Sequence, residues 1–193
     1  MRCIRGADLR ALAVPLVSLL LLTACATPAR PPADRAYTGR FAVTTASAAQ
    51  RESVSGRFAL EIRGVQQLLE LSSPLGTTVA RIEIDPSGAR ATGAQMQEVR
   101  GADADALTEQ LLGWPLPVAG LADWIEGRPV PNRVARIERE NGRIVLLEQD
   151  GWTIRLAEHF EINGGPRRLV LERPAGANTP SVVLRLIVDH PDA

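Results

Sequence analysis

The sequence predicts a mainly β fold, a long antiparallel meander of roughly eleven strands broken once by two short helices. Three observations predict it. Apolar and polar residues alternate in most segments after Ala36. Asn141-Gly142 and Asp150-Gly151 each separate two such segments, and these dipeptides favour the two-residue turns of β-hairpins. Between Gly101 and Pro129 the alternation gives way to a helical spacing. Meanders of this length curl to hide their edges.

The first segment is not part of that meander. Arg2, Arg5 and Arg10 precede the apolar run Ala11 to Leu22, which is short for a bilayer span and reads as an export signal. Leu22-Thr23-Ala24-Cys25 follows, and it resembles the bacterial lipobox. That resemblance implies cleavage before Cys25 and lipidation of its thiol, so residues 1–24 are expected to be a signal peptide. Ala26 rather than Asp after the Cys implies sorting to the outer membrane. Cleavage would also remove Cys3, leaving no second cysteine for a disulfide. Residues 25–36 are rich in Pro and Ala without an apolar period and read as a flexible tether. The folded domain is expected over 37–193.

Within the domain each element has its own reason. Tyr37, Phe41 and Val43 share one side of the first strand, and Val54, Phe58, Leu60 and Ile62 one side of the second. Both strands carry Gly-Arg-Phe-Ala. Leu69 and Leu71 continue the pattern, then Ala80, Ile82 and Ile84, with shorter strands around Ala89 to Val99. Between two of these strands lies Ser72-Ser73-Pro74-Leu75-Gly76-Thr77-Thr78, a hairpin tip built from turn formers except for Leu75. An isobutyl group at a wet loop tip folds back on its own protein, is a harmless exposed apolar residue, or meets something apolar. Asp103 and Asp105 read as cap and first-turn acids of a helix that carries Leu107, Leu111 and Leu112 and stops at Gly113. Trp114-Pro115-Leu116-Pro117 breaks the chain, and a second short helix carries Leu121, Trp124 and Ile125 before Gly127. Segments 133–140, 143–149, 152–160, 167–174 and 181–190 supply the remaining strands.

Composition removes several chemistries. The chain has 22 basic and 22 acidic side chains, and every basic one is Arg. Without Lys there is no P-loop lysine or Schiff base, and a balanced charge disfavours nucleic acid. His159 and His190 lack metal-ligand spacing, and no Gly-x-Ser-x-Gly elbow occurs. Asp103 and Asp105 are explained by the helix start, and Asn163-Gly164-Gly165-Pro166 lacks the context of a phosphate loop. No catalytic residue, metal or cofactor is expected. Apolar surface remains. Trp114, Trp124 and Trp152 serve either as core or as the wall of a lipid cavity, since a curled sheet can be filled or hollow.

Five features carry a family resemblance: the lipobox, "LLELSSPLGTT", "GWPLPVAGLADWIEGRP", "DGWTIRL", and the late strands "RRLVLE" and "VVLRLIV". Together they resemble the LolB family of outer-membrane lipoprotein receptors over nearly the whole mature domain. The resemblance implies an incomplete antiparallel β-barrel with helices over one opening. It implies an apolar acyl-chain cavity, whose expected lining is Phe41, Val43, Phe58, Leu60, Leu69 and Leu71 from the strands. Trp114, Leu116, Leu121, Trp124 and Ile125 would come from the helical segment, and Trp152 and Ile154 from a later strand. The Pro74-Leu75-Gly76 loop is expected to protrude and touch membrane lipid. The implied partners are a periplasmic lipoprotein carrier, client lipoproteins held by their acyl chains, and outer-membrane lipid, with the protein a monomer lacking cofactors. The alternative reading is a tethered barrel for free lipid or glycolipid, or an envelope assembly scaffold.

Overall fold

The computed structural model describes residues 32–93, 96–161 and 164–189. The signal segment and Cys25 lie outside the described residues, as do Asn163 and His190. Eleven strands form one antiparallel sheet: β1 (Arg35–Ala46), β2 (Arg51–Arg63), β3 (Gln66–Ser72), β4 (Thr78–Asp85), β5 (Gly88–Gly93), β6 (Met96–Gly101), β7 (Ala135–Glu140), β8 (Arg143–Gln149), β9 (Trp152–His159), β10 (Pro166–Arg173) and β11 (Ser181–Val188). Helices α1 (Ala104–Leu112) and α2 (Val118–Trp124) lie between β6 and β7.

The strand order is β6-β5-β4-β3-β2-β1-β11-β10-β9-β8-β7, so the two halves of the chain meet where β1 pairs with β11. β6 and β7 are edges, and the sheet is an unclosed barrel. The edge strand β7 exposes Arg136, Glu138, Arg139 and Glu140 and carries a bulge at Glu138/Arg139. Charge and irregularity of this kind protect an open edge from pairing with another chain.

Alternation decides what lies inside. On β1, Gly39, Phe41, Val43 and Thr45 are buried while Arg40 is exposed. Val182, Leu184, Leu186 and Val188 are buried on β11. The inward side chains of both halves join the helices in one apolar cluster. Gly39 and Gly56 are small out of necessity. A Cβ at Gly39 would stand 2.2 Å from the Ile187 carbonyl oxygen, and one at Gly56 2.1 Å from that of Ser72. The missing side chains let the Phe58 and Phe41 rings lie across neighbouring backbone.

The tight turns follow their residues. Asn141-Gly142 and Asp150-Gly151 hold positive φ at both positions (50° and 81°, 53° and 79°), as type I′ hairpins demand. Asp103 caps α1, its carboxylate oxygen accepting from the Asp105 and Ala106 amides at 2.8 and 3.0 Å. Gly113 ends that helix in the left-handed conformation, with its N–H donating to the Glu109 carbonyl.

The structure departs from the sequence expectation at the start of β1 and at Val54. β1 begins at Arg35, inside the segment read as tether. The Asp34 amide donates to the Ile62 carbonyl at 2.9 Å, its carboxylate accepts from the Gly64 amide, and Arg35 pairs with Glu126. These partners are remote in sequence, so composition alone could not indicate them. Val54 shares its parity with Phe58 yet is 54% exposed, because it lies where β2 extends past the end of β3.

Candidate functional site

Antiparallel pairing fixes which loops share an end of the sheet. Loops 47–50, 73–77 and 174–180, the Asp150-Gly151 turn and the approach to β7 all leave from one rim. Among the described residues, four of the five exposed large apolar side chains belong to this half of the sheet: Val54, Leu75, Val79 and Val134. Val65 is at the opposite end.

Leu75 is 95% exposed at the tip between β3 and β4. The turn beneath it is bonded at several points. The Ser73 amide donates to the Thr77 carbonyl at 2.8 Å, the Gly76 amide to the Ser73 carbonyl at 2.9 Å, and the Thr77 amide to the Ser73 hydroxyl at 3.2 Å. Gly76 has φ of 87°, and a side chain there would meet nothing within 4 Å. The loop therefore holds Leu75 away from the sheet, and the fold-back reading of this residue fails.

Behind the rim, the helices lie against the inner face of the sheet. Trp124 is buried, and its indole N–H donates to the Gln149 side-chain oxygen at 2.9 Å. The same oxygen accepts from the Val130 amide at 2.8 Å, and the Gln149 amide group donates to the Val130 carbonyl at 3.1 Å. Glu126 accepts from the Tyr37 hydroxyl at 2.7 Å and pairs with Arg35 and Arg128. Burial first, and the bond to Glu126 next, push the Tyr37 hydroxyl up to about 12. On the other side, the buried Thr108 hydroxyl donates to the Asp105 carbonyl and accepts from the Leu116 amide at 3.0 Å. The Asp105 carboxylate accepts from the Ala119 amide at 3.1 Å.

An apolar gap lies between sheet and helices. Phe41, Val43, Phe58, Leu69, Leu71, Trp114, Leu116 and Leu121 line it, together with Leu184 and Leu186. Its volume is about 20 Å³, room for one water-sized sphere. The interior that the resemblance implied to be hollow is thus closed in this form by packed side chains. Leu60, Trp124, Ile125, Trp152 and Ile154, also expected in the lining, are buried but stand apart from the gap. Trp152 packs under the Arg173 guanidinium, 5.9 Å from its ring centre. Leu184 and Leu186 were missed, although the alternation Val182-Leu184-Leu186-Val188 marks them as an inner face.

Asp103 and Asp105 serve the helix start, and burial pushes the Asp105 carboxyl above the usual carboxylate range. Burial first, with the Arg143 charge second, lowers His159 below the ordinary imidazole range. Among the described residues no group of three or more His, Cys, Asp or Glu side chains could hold a metal. No described helix is long and apolar enough to cross a membrane.

The family described as "Outer membrane lipoprotein LolB" matches residues 34–190. A protein of that name from Cupriavidus pinatubonensis is 39% identical over 190 residues, covering 90% of this chain and 91% of the relative. Its counterpart from Bordetella petrii is 37% identical over 179 residues, covering 89% and 88%. Among solved structures, a LolA superfamily protein from Nitrosomonas europaea aligns with a TM-score of 0.49 at 13% identity, over 83% of this chain and 86% of the other. This chain belongs to the LolB family of outer-membrane lipoproteins.

Proposed function

We propose that the protein receives lipoproteins from a LolA-like periplasmic carrier, shelters their acyl chains between sheet and helices, and releases them into the outer membrane. In this reading residues 1–24 direct export, Cys25 carries the lipid anchor, and the chain between it and β1 is a tether. The domain acts as a monomer, without catalysis or nucleotide.

Physics supports a cavity-to-cavity route. A triacylated client has about fifty chain carbons, and each exposed CH₂ costs about 0.8 kcal/mol in water. Transfer between apolar hosts avoids that cost, so direction requires only a receiver that binds more tightly than the donor. About 1.4 kcal/mol gives a tenfold preference. A gap of about 20 Å³ cannot hold such chains, so the helices must part from the sheet to admit them. Methylene groups of the client then cover the apolar surface that parting exposes.

One observation carries the reading: Leu75 is 95% exposed on a turn that fixes it outward, at the rim where Val54, Val79 and Val134 are also exposed. Burying that side chain in lipid yields about 1.5–3 kcal/mol, enough for a transient touch. Leu75→Glu should leave the melting temperature and client uptake from the carrier near wild type. Delivery of client to phospholipid vesicles should fall by roughly tenfold or more, the rate equivalent of that burial. Unchanged delivery would overturn the assignment.

A further inference from the structure

We propose that the Trp114 indole is a movable partition between a polar vestibule and the apolar interior. An acyl chain enters the fold past this ring, while the ester and amide groups at its head stay outside it. The inference rests on the acyl-binding reading above and adds the route of entry and the chemistry of the head group.

Trp114 is unusual in lining two spaces. On its inner side is the apolar gap of about 20 Å³. On its outer side is a cleft of about 610 Å³ at the rim, between the β1–β2 turn and the loop that joins β10 to β11. Ser47, Gln50 and Glu52 line the cleft from one side, and Asn178 and Thr179 from the other. Among the described residues, the half-buried indole is the one side chain that borders both spaces.

Its attachment permits movement. No hydrogen bond holds the Trp114 side chain among the described residues, in contrast to the bonded indole of Trp124. The preceding Gly113 is exposed, has φ of 76°, and would carry a Cβ with nothing within 4 Å. Beyond the ring the chain is fixed: Pro115 and Leu116 are buried, and Thr108 holds the Leu116 amide. The indole can therefore swing at the Gly113 side while the core behind Leu116 stays in place.

The vestibule also selects. Among the described residues Glu52 is its single charged lining residue, and the rest are hydroxyls, amides, small residues, Leu112 and the Trp114 ring. Hydroxyl and amide groups match the esters and amides that join acyl chains to a glyceryl-cysteine head. A phosphate head would meet a carboxylate with no cation in the lining. The geometry thus points to a neutral acylated head group and away from an anionic phospholipid.

Stopped-flow binding of a pyrene-labelled monoacylglycerol, with an uncharged ester head, tests this on residues 25–193 carrying Cys25→Ala, which has no thiol to lipidate. Trp114→Ala should speed association and dissociation roughly tenfold, as expected when a barrier of about 1.4 kcal/mol is removed. Ala177→Trp, in the exposed vestibule loop, should slow association roughly fivefold while the melting temperature is unchanged. A pyrene-labelled lysophosphatidylglycerol should bind more weakly than the neutral probe. Wild-type binding with rates that both variants share would overturn the entry route while leaving the receptor reading intact. Failure of all three proteins to bind any acyl probe would overturn both. Should Trp114→Ala not fold, Ala177→Trp decides alone.

Discussion

Trp114 precedes α2 and Trp124 is its last residue, and the protein treats them in opposite ways. The Trp124 indole is 1% exposed, bonded to Gln149, and seated on a helix whose end is tied to Tyr37 and Arg35 through Glu126. The Trp114 ring is partly exposed, has no hydrogen bond among the described residues, and faces a void on each side. The difference separates two tasks within one lid. The α2 end clamps the helices to β8 and β1, and the α1–α2 link gives way. A lid clamped at both ends would keep the interior closed, and one loose at both would lose the fold.

The sharpest way to break this comparison is to remove the clamp. Gln149 is 3% exposed and satisfies three polar groups, namely the Trp124 indole N–H and both backbone groups of Val130. Gln149→Ala leaves the buried indole N–H and the half-buried Val130 groups without this partner, at about 1–3 kcal/mol for each that stays unpaired. Urea unfolding should show a loss of about 3–5 kcal/mol in total. A loss below about 1 kcal/mol would mean that water replaces the glutamine and that this end is no tighter than the other.

Much of the sheet was legible because alternation is local. Leu60, Leu69 and Ile82 announce their inward face through their neighbours. Asn141-Gly142 and Asp103 announce a turn and a cap through their own side chains. Leu75 was legible as a misfit, since every residue around it asks for a turn. Gln149 was not. A glutamine before Asp150-Gly151 reads as a wet strand end, and its partners lie on a helix and a loop far back in the chain. Its parity with Leu147 was the available signal. Nor could alternation decide between a filled and a hollow interior. It says which side chains face inward but not how closely those of opposite walls approach. Leu184 and Leu186 stand beside Val43 and Phe41 on the sheet wall of the gap, and that placement depends on the pairing of β1 with β11, strands far apart in sequence.

A milder test acts at the border between clamp and hinge. Thr108 is 1% exposed and holds the Leu116 amide at 3.0 Å. Thr108→Val keeps the shape but strands that amide, at about 1–3 kcal/mol. It also frees the inner end of the link, so association of a neutral acyl probe should quicken. If stability falls without faster association, Leu116 is not what holds the link closed.

The smallest effect concerns Asp105, which joins α1 to the start of α2 on the hinge side. Its carboxyl is raised above the usual range by burial first, and by repulsion from Asp103. The Ala119 and Val118 amides and the Arg133 charge act in the opposite sense. An acid whose pKa is raised by folding favours the fold most when protonated. That contribution is fully present below its unfolded pKa and is lost as pH rises through the folded value. Asn at this position keeps an oxygen that can accept from the Ala119 amide at the distance Asp105 now uses, 3.1 Å, and carries no charge. Asp105→Asn should therefore raise stability at pH 7 by at most about 0.5 kcal/mol, with the gain vanishing as the pH falls to the ordinary carboxylate range. Thermal melts of both proteins at pH 4 and pH 7 read the difference directly. A gain that persists at pH 4 would trace to helix propensity or packing rather than to charge, and the hinge side would then contain no ionisable contact that weakens it near neutral pH.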